Sequence, residues 1–507
     1  MYLSRSLLRG PYGDQLKASP EELFSLPEKV LQFGTGVLLR GLPDFYIDKA
    51  NKQGVFNGRI VVVKSTSSGG ADAFDRQQGL YTHVIRGIDK GEVVDEVIIN
   101  ASISRVISAA SDWNAVLECA TNPDMQVIIS NTTEVGITLV EDNIHADPPV
   151  SFPGKLLSFL YKRFRHFNGD RERGLVIVPT ELITDNGKKL EAIVLELAHQ
   201  HGLESAFMDW LENANTFCNT LVDRIVPGKL PEDEHQALCK KLGYEDELLI
   251  MSEVYGLWAI ETTREKVREV LSFHVCDEGV VILPDIHMHR ELKLRLLNGS
   301  HTFTCGLAYL HGFKTVKEAM QEDRFSEFIT RLMKQEIVPA IIGDGLTTGM
   351  AEEFADKVLD RYRNPFLDHQ WINITLQYTG KMAMRNMPIL RSYFNRYQQV
   401  PPAMALGFAA YLLFMKGQPS GDHRYAGSSD WGPYPINDEQ AAFFSTSWST
   451  LAPELLVKTI LGQTEWWGSD LNEYPGWAHS VNHQLARLLN DGPRKVLREY
   501  LIENSVA

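Results

Sequence analysis

Short apolar runs bounded by turn residues fill the first half of the chain, and they predict strands. Lys29-Val-Leu-Gln-Phe33, Arg59-Ile-Val-Val-Val63, Met125-Gln-Val-Ile-Ile-Ser130 and Leu175-Val-Ile-Val178 are too short for helices and rich in β-branched residues. Helical periodicity separates them, as in residues 188–201. Alternating strands and helices predict a mostly parallel, doubly wound sheet, that is, an α/β fold. Residues 81–86 and 93–100 alternate as an antiparallel addition, and the apolar runs 270–275 and 280–283 read as final strands. Residues 1–26 show little pattern and read as a leader.

The period changes after Pro284. Apolar positions recur at helical spacing in residues 292–312, 315–321, 325–342, 352–362, 371–386 and 403–416. Residues 417–437 are rich in Gly, Ser, Pro and Asp and predict a long loop. The expected organisation is an α/β domain over residues 1–284 and a mainly α-helical domain over residues 285–507.

The helical half opens on Lys293-Leu-Arg-Leu-Leu-Asn298-Gly-Ser-His301. At roughly 100° per residue, an α-helix puts its lysine, asparagine and histidine near 0°, 140° and 80°, within one arc. Leu292, Leu294, Leu296 and Leu297 take much of the remaining circumference, which predicts a mostly buried helix with one polar stripe. Gly299 removes bulk beside the stripe, where a ligand would approach. A lysine withdrawn from water serves as a general base near neutral pH. An asparagine amide donates to an oxygen that gains negative charge, and a histidine orients a hydroxyl.

The first strand runs into Gly34-Thr35-Gly36, and a helical pattern starts at Val37. Strand, glycine turn and helix start form the phosphate-cradling unit of a dinucleotide-binding fold. Leu39 stands where a third glycine is usual, and an ordinary strand-to-helix turn carries the same pattern. The second strand ends in Lys64 rather than an acid, which leaves NAD against NADP open at that position. Asn131, Thr132 and Thr133 follow the strand ending at Ser130, at the edge where open α/β sheets bind ligands. Asn186 either caps the helix that follows it or turns its amide toward that edge.

Composition narrows the function class. The 507 residues, 44% hydrophobic and 23% charged, suit an ordinary soluble globular protein of more than one domain. No apolar run is long enough for a bilayer, and the N-terminus lacks the apolar core of a signal peptide. Five scattered cysteines suit a reducing cytoplasm, the expected location. A net charge of −15 argues against a nucleic-acid partner, and no membrane partner is expected. Arg361 and Arg363, with His369, Lys381 and Arg385, nevertheless make a basic cluster. It is either a solvated face or a seat for a carboxylate, which arginine grips with two parallel hydrogen bonds. His287-Met-His289 has no evident third ligand nearby, so no metal is predicted.

Lys293-x4-Asn298-x2-His301 resembles the catalytic signature of the mannitol dehydrogenase family, the long-chain polyol dehydrogenases. Gln32-Phe-Gly-Thr-Gly36 with Leu39-Arg40, Val222-Asp-Arg-Ile-Val-Pro227, and Trp258 with Glu261 extend the match along most of the chain. Further stretches, among them Ser130-Asn-Thr-Thr-Glu134, Pro179-Thr-Glu-Leu-Ile183 and Arg363-Asn-Pro365, resemble the members that act on sugar acids. The resemblance implies a Rossmann-type domain, a helical C-terminal domain, NAD as cofactor and no metal. It implies Lys293 as general acid/base, Asn298 and Asn186 as donors to the carbonyl oxygen, and His301 as substrate orienter. It makes Phe33, Gly34, Thr35, Gly36, Leu39 and Arg40 the cofactor loop, joined by Lys64, Asn131, Thr132 and Thr133. Asp223, Arg361, Arg363, His369 and Lys381 are then the substrate-binding residues. The implied reaction is reduction of D-tagaturonate to D-altronate. D-Fructuronate or fructose reduction within the family, and a non-catalytic dinucleotide sensor outside it, are the alternatives. The oligomeric state stays open.

Overall fold

The structure is a computed structural model, and it describes residues 1–9, 20–64, 71–132 and 136–504. The chain divides into two compact units, residues 1–86 with 93–286 and residues 87–92 with 287–507.

The first unit is built on a six-stranded sheet of β1 (Glu28–Phe33), β2 (Arg59–Lys64), β3 (Ile103–Ser108), β4 (Val127–Ser130), β5 (Val176–Pro179) and β6 (Thr216–Phe217). Its order is β3-β2-β1-β4-β5-β6, and every neighbouring pair is parallel. This is the Rossmann order, with the strand sequence reversing beside β1. Alternation along β1 and β2 sends Leu31, Phe33, Val61 and Val63 into one apolar core. Val30, Ile60 and Val62 go into the other, so both faces are covered. That double coverage is why these strands read as near-continuous apolar runs.

Two three-stranded sheets flank it, Tyr81–Asp89 between Ile250–Glu253 and Glu92–Asn100, and Leu257–Glu261 between Asn219–Asp223 and Val280–Leu283. The run 270–275 is not a strand. Helix Glu265–Val270 passes into a 3-10 turn, Ser272–Cys276. Val267, Leu271 and Phe273 are buried and Val275 is exposed, on a backbone that is helical rather than extended. Nor is the N-terminal stretch a loose leader, where described. Leu3, Leu7, Leu8 and Leu23 pack with Leu80, Ile99, Ala101 and Tyr244 into a small core.

The second unit is helical around Pro402–Phe414, which is buried along nearly its whole length. Residues 417–437 form an antiparallel sheet of Gly417–Pro419, Tyr425–Ser429 and Gly432–Ile436, not the expected loop. Two of the glycines that suggested a loop, Gly417 and Gly427, are strand positions covered by large neighbours. A Cβ on Gly427 would fall 2.2 Å from Tyr434, and one on Gly417 2.5 Å from Ile436. The expected helix over residues 371–386 is also broken, at Gln377, whose φ is 51°. His287 and His289 lie on a helix, His287–Leu292, two residues apart, where side chains do not face each other.

Candidate active site

In the first unit β1 ends in the turn Gly34–Gly36. Gly34 has a φ of 131°, a conformation open to glycine and rarely adopted by other residues. A Cβ there would also lie 2.8 Å from Leu39 Cδ1. At Gly36 a Cβ would meet nothing within 4 Å, so backbone is open on that side. Gly36 begins helix Val37–Gly41 without a side-chain cap. An uncapped turn with this opening, at the reversal of strand order, fits the pyrophosphate of a dinucleotide.

The neighbours named with this turn divide by role. Phe33 is buried against Phe152, ring centroids 5.2 Å apart, and Leu39 is buried under Gly34. Arg40 is buried too, between the rings of Phe74 and Tyr81, with its guanidinium donating to the Leu248 carbonyl. These three side chains shape the turn from beneath. Lys64 is buried at the end of β2. Asn131 Nδ2 donates to the carbonyl and hydroxyl of Thr180 at 3.2 and 3.0 Å. Thr132 donates through N and Oγ1 to the Glu181 carboxylate at 2.8 and 3.0 Å. Burial raises the Glu181 pKa despite these donors. Thr133 lies outside the described residues.

Asn186 does not cap its helix. It is the first residue of Asn186–Gln200, behind Asp185 as N-cap, and it is fully buried. Its Nδ2 lies within hydrogen-bond distance of the Pro179 carbonyl (3.2 Å), the Glu181 carbonyl (3.0 Å) and Thr220 Oγ1 (3.1 Å). Its Oδ1 accepts from the amides of Gly187 and Thr220 at 2.9 and 2.8 Å. The amide, as it stands, ties β5 to the strand Asn219–Asp223. Asp223, at the end of that strand, is buried.

In the second unit the motif is not an α-helix throughout. Helix His287–Leu292 passes into a π-helical turn, Lys293–Gly299, before helix Ser300–His311. This revises the expected arc. In an α-helix residues five apart are about 140° apart, but a π turn bonds residue i+5 back to residue i. Lys293 and Asn298 therefore rise on nearly one side. Both are half-buried, as is Leu294, so the lysine is less enclosed by leucines than expected. Gly299 does not make room for a ligand, since a Cβ there would sit 2.9 Å from Ile389 Cδ1.

His301 is buried, and its Nε2 has no partner among the described residues. Its ring stacks on Tyr362 and meets His369 edge-on, centroids 5.1 Å apart. Burial drives its pKa well below the ordinary value, and His369, Arg361, Arg385 and Lys381 push it the same way. Burial and the charges of Arg361 and Lys381 lower His369 likewise. Of the basic cluster, His369 touches His301, while Arg361, Arg385 and Lys381 act on it through their charge; Lys381 Nζ itself donates to the Ile374 carbonyl at 2.9 Å. Arg363 stands apart, 41% exposed and 3.9 Å from Asp360. Arg385 belongs inside, with Nη1 3.2 Å from Thr302 Oγ1 and a buried Nε without a partner among the described residues. Tyr362, Arg295 and Asn386 were not singled out from the sequence, and only their contacts identify them. Among the described residues no three His, Cys, Asp or Glu side chains are grouped to hold a metal ion, and no helix is long and apolar enough to cross a membrane.

Comparison with known proteins accounts for both halves of the chain. Residues 28–271 match the model of the mannitol dehydrogenase Rossmann domain, and residues 285–489 that of the mannitol dehydrogenase C-terminal domain. The altronate oxidoreductase of Bacillus subtilis (strain 168) is 38% identical over 482 residues, 94% of this chain and 96% of its own length. That of Cronobacter sakazakii is 37% identical over 477 residues, 92% of this chain and 96% of its own. The fold matches Pseudomonas fluorescens mannitol 2-dehydrogenase, solved with NAD and D-mannitol, with TM-score 0.66, 21% identity and coverage of 99% and 100%. It also matches a substrate-free D-sorbitol dehydrogenase, with TM-score 0.76, 18% identity and coverage of 98% and 100%.

Proposed function

The chain belongs to the mannitol dehydrogenase family, as an oxidoreductase acting on a CH–OH group, and we propose that it interconverts D-tagaturonate and D-altronate with NAD(H). One observation separates a sugar acid from a neutral polyol. Arg361, Lys381 and Arg385 bear on His301 with positive charge, and His369 meets its ring edge-on. A polyol gives such a cluster nothing to neutralise, whereas a carboxylate receives charge-assisted hydrogen bonds from it. Similarity to altronate oxidoreductases over nearly the full length supports the same reading.

In this reading the first unit holds the dinucleotide at Gly34–Gly36, and the second supplies the proton and the substrate site. Bound NADH supplies hydride to the ketone carbon, and NAD accepts it in reverse. Asn298 donates its amide N–H to the ketone oxygen as negative charge builds there. Lys293, on the same side of the π turn, gives its proton to that oxygen, or removes it from the alcohol during oxidation. His301, neutral, presents Nε2 to a substrate hydroxyl. Asn186 acts at one remove, because its amide is already engaged by Pro179, Glu181 and Thr220. The test is a panel of hexonates and polyols assayed with NAD and NADP. D-Altronate with NAD gives the highest kcat/KM; a preference for mannitol or for D-mannonate overturns the assignment.

A further inference from the structure

The second unit contains another π-helical turn, Met382–Asn386, which is joined side chain to backbone with the first in both directions. Arg295, from the turn that carries Lys293 and Asn298, donates through Nη1 to the carbonyls of Met384 and Arg385, each at 2.9 Å. Its Nε is held by Glu291 at 2.8 Å, and its side chain is only 11% exposed. In return Asn386, fully buried, donates through Nδ2 to the Gly299 carbonyl at 3.1 Å. Tyr362, from helix Thr348–Arg363, holds the first turn separately, its hydroxyl donating to the Leu297 carbonyl at 3.0 Å.

A π turn changes the pairing of its carbonyls and is rare except where its surroundings hold it. Here each turn receives donors from the other, so both are kept in this form together. A Cβ on Gly299 would sit 2.9 Å from Ile389 Cδ1, in the helix that continues the second turn, and 3.7 Å from Asn386 Oδ1. One turn carries Lys293 and Asn298. The other carries Arg385 and follows directly on Lys381.

We propose that Arg295 and Asn386 are positioning residues, a reciprocal clamp that sets the spacing between the proton-transfer turn and the carboxylate-binding turn. The proposal rests on the reading of Lys293 and the basic cluster given above. A substrate anchored by its carboxylate at one turn must bring its carbonyl to the other, and a misplacement of about 1 Å costs on the order of 10²-fold in rate. The clamp therefore acts on kcat more than on KM, because each half of the site still binds when the halves shift.

The test uses the full-length protein with altronate and NAD. Arg295→Gln removes the guanidinium and Asn386→Leu the amide donor, and Arg295→Lys and Asn386→Ser are second variants should the first fold poorly. The expected result is a fall in kcat of roughly 10–100-fold, with KM changed by less than about threefold and NADH binding unchanged. Substrate deuterated at the reacting carbon reports the hydride step directly. Its isotope effect on kcat rises in the clamp variants, and Arg295→Lys, which keeps one cationic donor, recovers part of the loss. A variant that merely lowers the folded fraction leaves the isotope effect at its wild-type value, and that result overturns the proposal. Wild-type turnover in Arg295→Gln and Asn386→Leu overturns it as well. Lys293→Ala is run in parallel. If that variant is inactive while the clamp variants are normal, only the clamp is wrong; if it turns over normally, the reading beneath the clamp falls too.

Discussion

The imidazole of His301 lies flat over the phenol ring of Tyr362, centroids 4.2 Å apart and planes within 15°. Tyr362 is itself pinned, its hydroxyl 2.8 Å from Ser300 Oγ and 3.0 Å from the Leu297 carbonyl it donates to. The histidine ring is thus oriented by a residue that also ties down the π turn. With burial and nearby positive charge both disfavouring the imidazolium, His301 is a neutral hydrogen-bonding group rather than a proton store.

Replacing Lys293 with alanine should reduce turnover by roughly 10²–10⁴-fold, the cost of losing a positioned acid/base. The dinucleotide is proposed to bind the other unit, so NADH affinity measured by fluorescence titration should stay near wild type. Near-normal turnover would remove Lys293 from the mechanism.

Substrate charge should be read by Lys381 and Arg385. Removing one charge-assisted hydrogen bond costs roughly 1.5–3 kcal/mol, or about 10–150-fold in kcat/KM for altronate. Arg363→Ala is the internal control and should change little, given its exposure and its distant contact with Asp360. Equal losses with altronate and with a neutral polyol would mean that the cluster does not bind the carboxylate.

Cofactor preference should favour NADH by at least about tenfold in kcat/KM. A 2′-phosphate needs an available cation, and Lys64 at the end of β2 is buried and already engaged. Equal or better efficiency with NADPH would place a cation at the ribose that this reading lacks.

Chelation should leave activity intact. Lys293 and Asn298 supply the proton and the amide donor, and no group of metal-ligating side chains is assembled among the described residues. Loss of activity on dialysis against EDTA, restored by one divalent ion, would contradict this.

Stability should carry the signature of Glu336. Burial raises its pKa to about 8, although it accepts from the amides of Ala403 and Met404 at 2.6 and 2.8 Å. Because the folded-state pKa lies above the unfolded value of 4.5, the folded protein binds the extra proton between these limits. The contribution is complete below about pH 4.5 and is lost as pH rises through about 8. Glu336→Gln keeps an acceptor and removes the titration. Its melting temperature should fall less than that of the wild type between pH 6 and pH 9, measured by scanning calorimetry; parallel curves would show that Glu336 does not titrate there.

Four strands of the six-stranded sheet, and its parallel type, were legible in the sequence because they depend on local patterns; Ile103–Ser108, Thr216–Phe217 and the order of the strands were not. Runs such as Arg59-Ile-Val-Val-Val63 are apolar on both faces, and only a parallel sheet covered on both sides buries them. The Lys293, Asn298 and His301 spacing was legible for the same reason, as was the glycine turn after β1. The winding of that motif was not. A π turn differs from an α turn in which carbonyl each amide reaches, and that choice is set here by contacts from 87 to 90 residues away, between Gly299 and Asn386 and between Arg295 and the carbonyls of Met384 and Arg385. The sequence reading therefore held Lys293 and Asn298 too far apart and took Gly299 for a ligand gap. Asn186 likewise carries the right chemistry for an oxyanion donor, but Thr220, 34 residues on, helps to occupy it. The sheet over residues 417–437 hid behind its glycines, because what makes Gly417 and Gly427 strand residues is the cover provided by Ile436 and Tyr434. In each case local pattern determined the elements and the chemistry available, and packing between residues distant in the chain decided which atoms were left to meet a substrate.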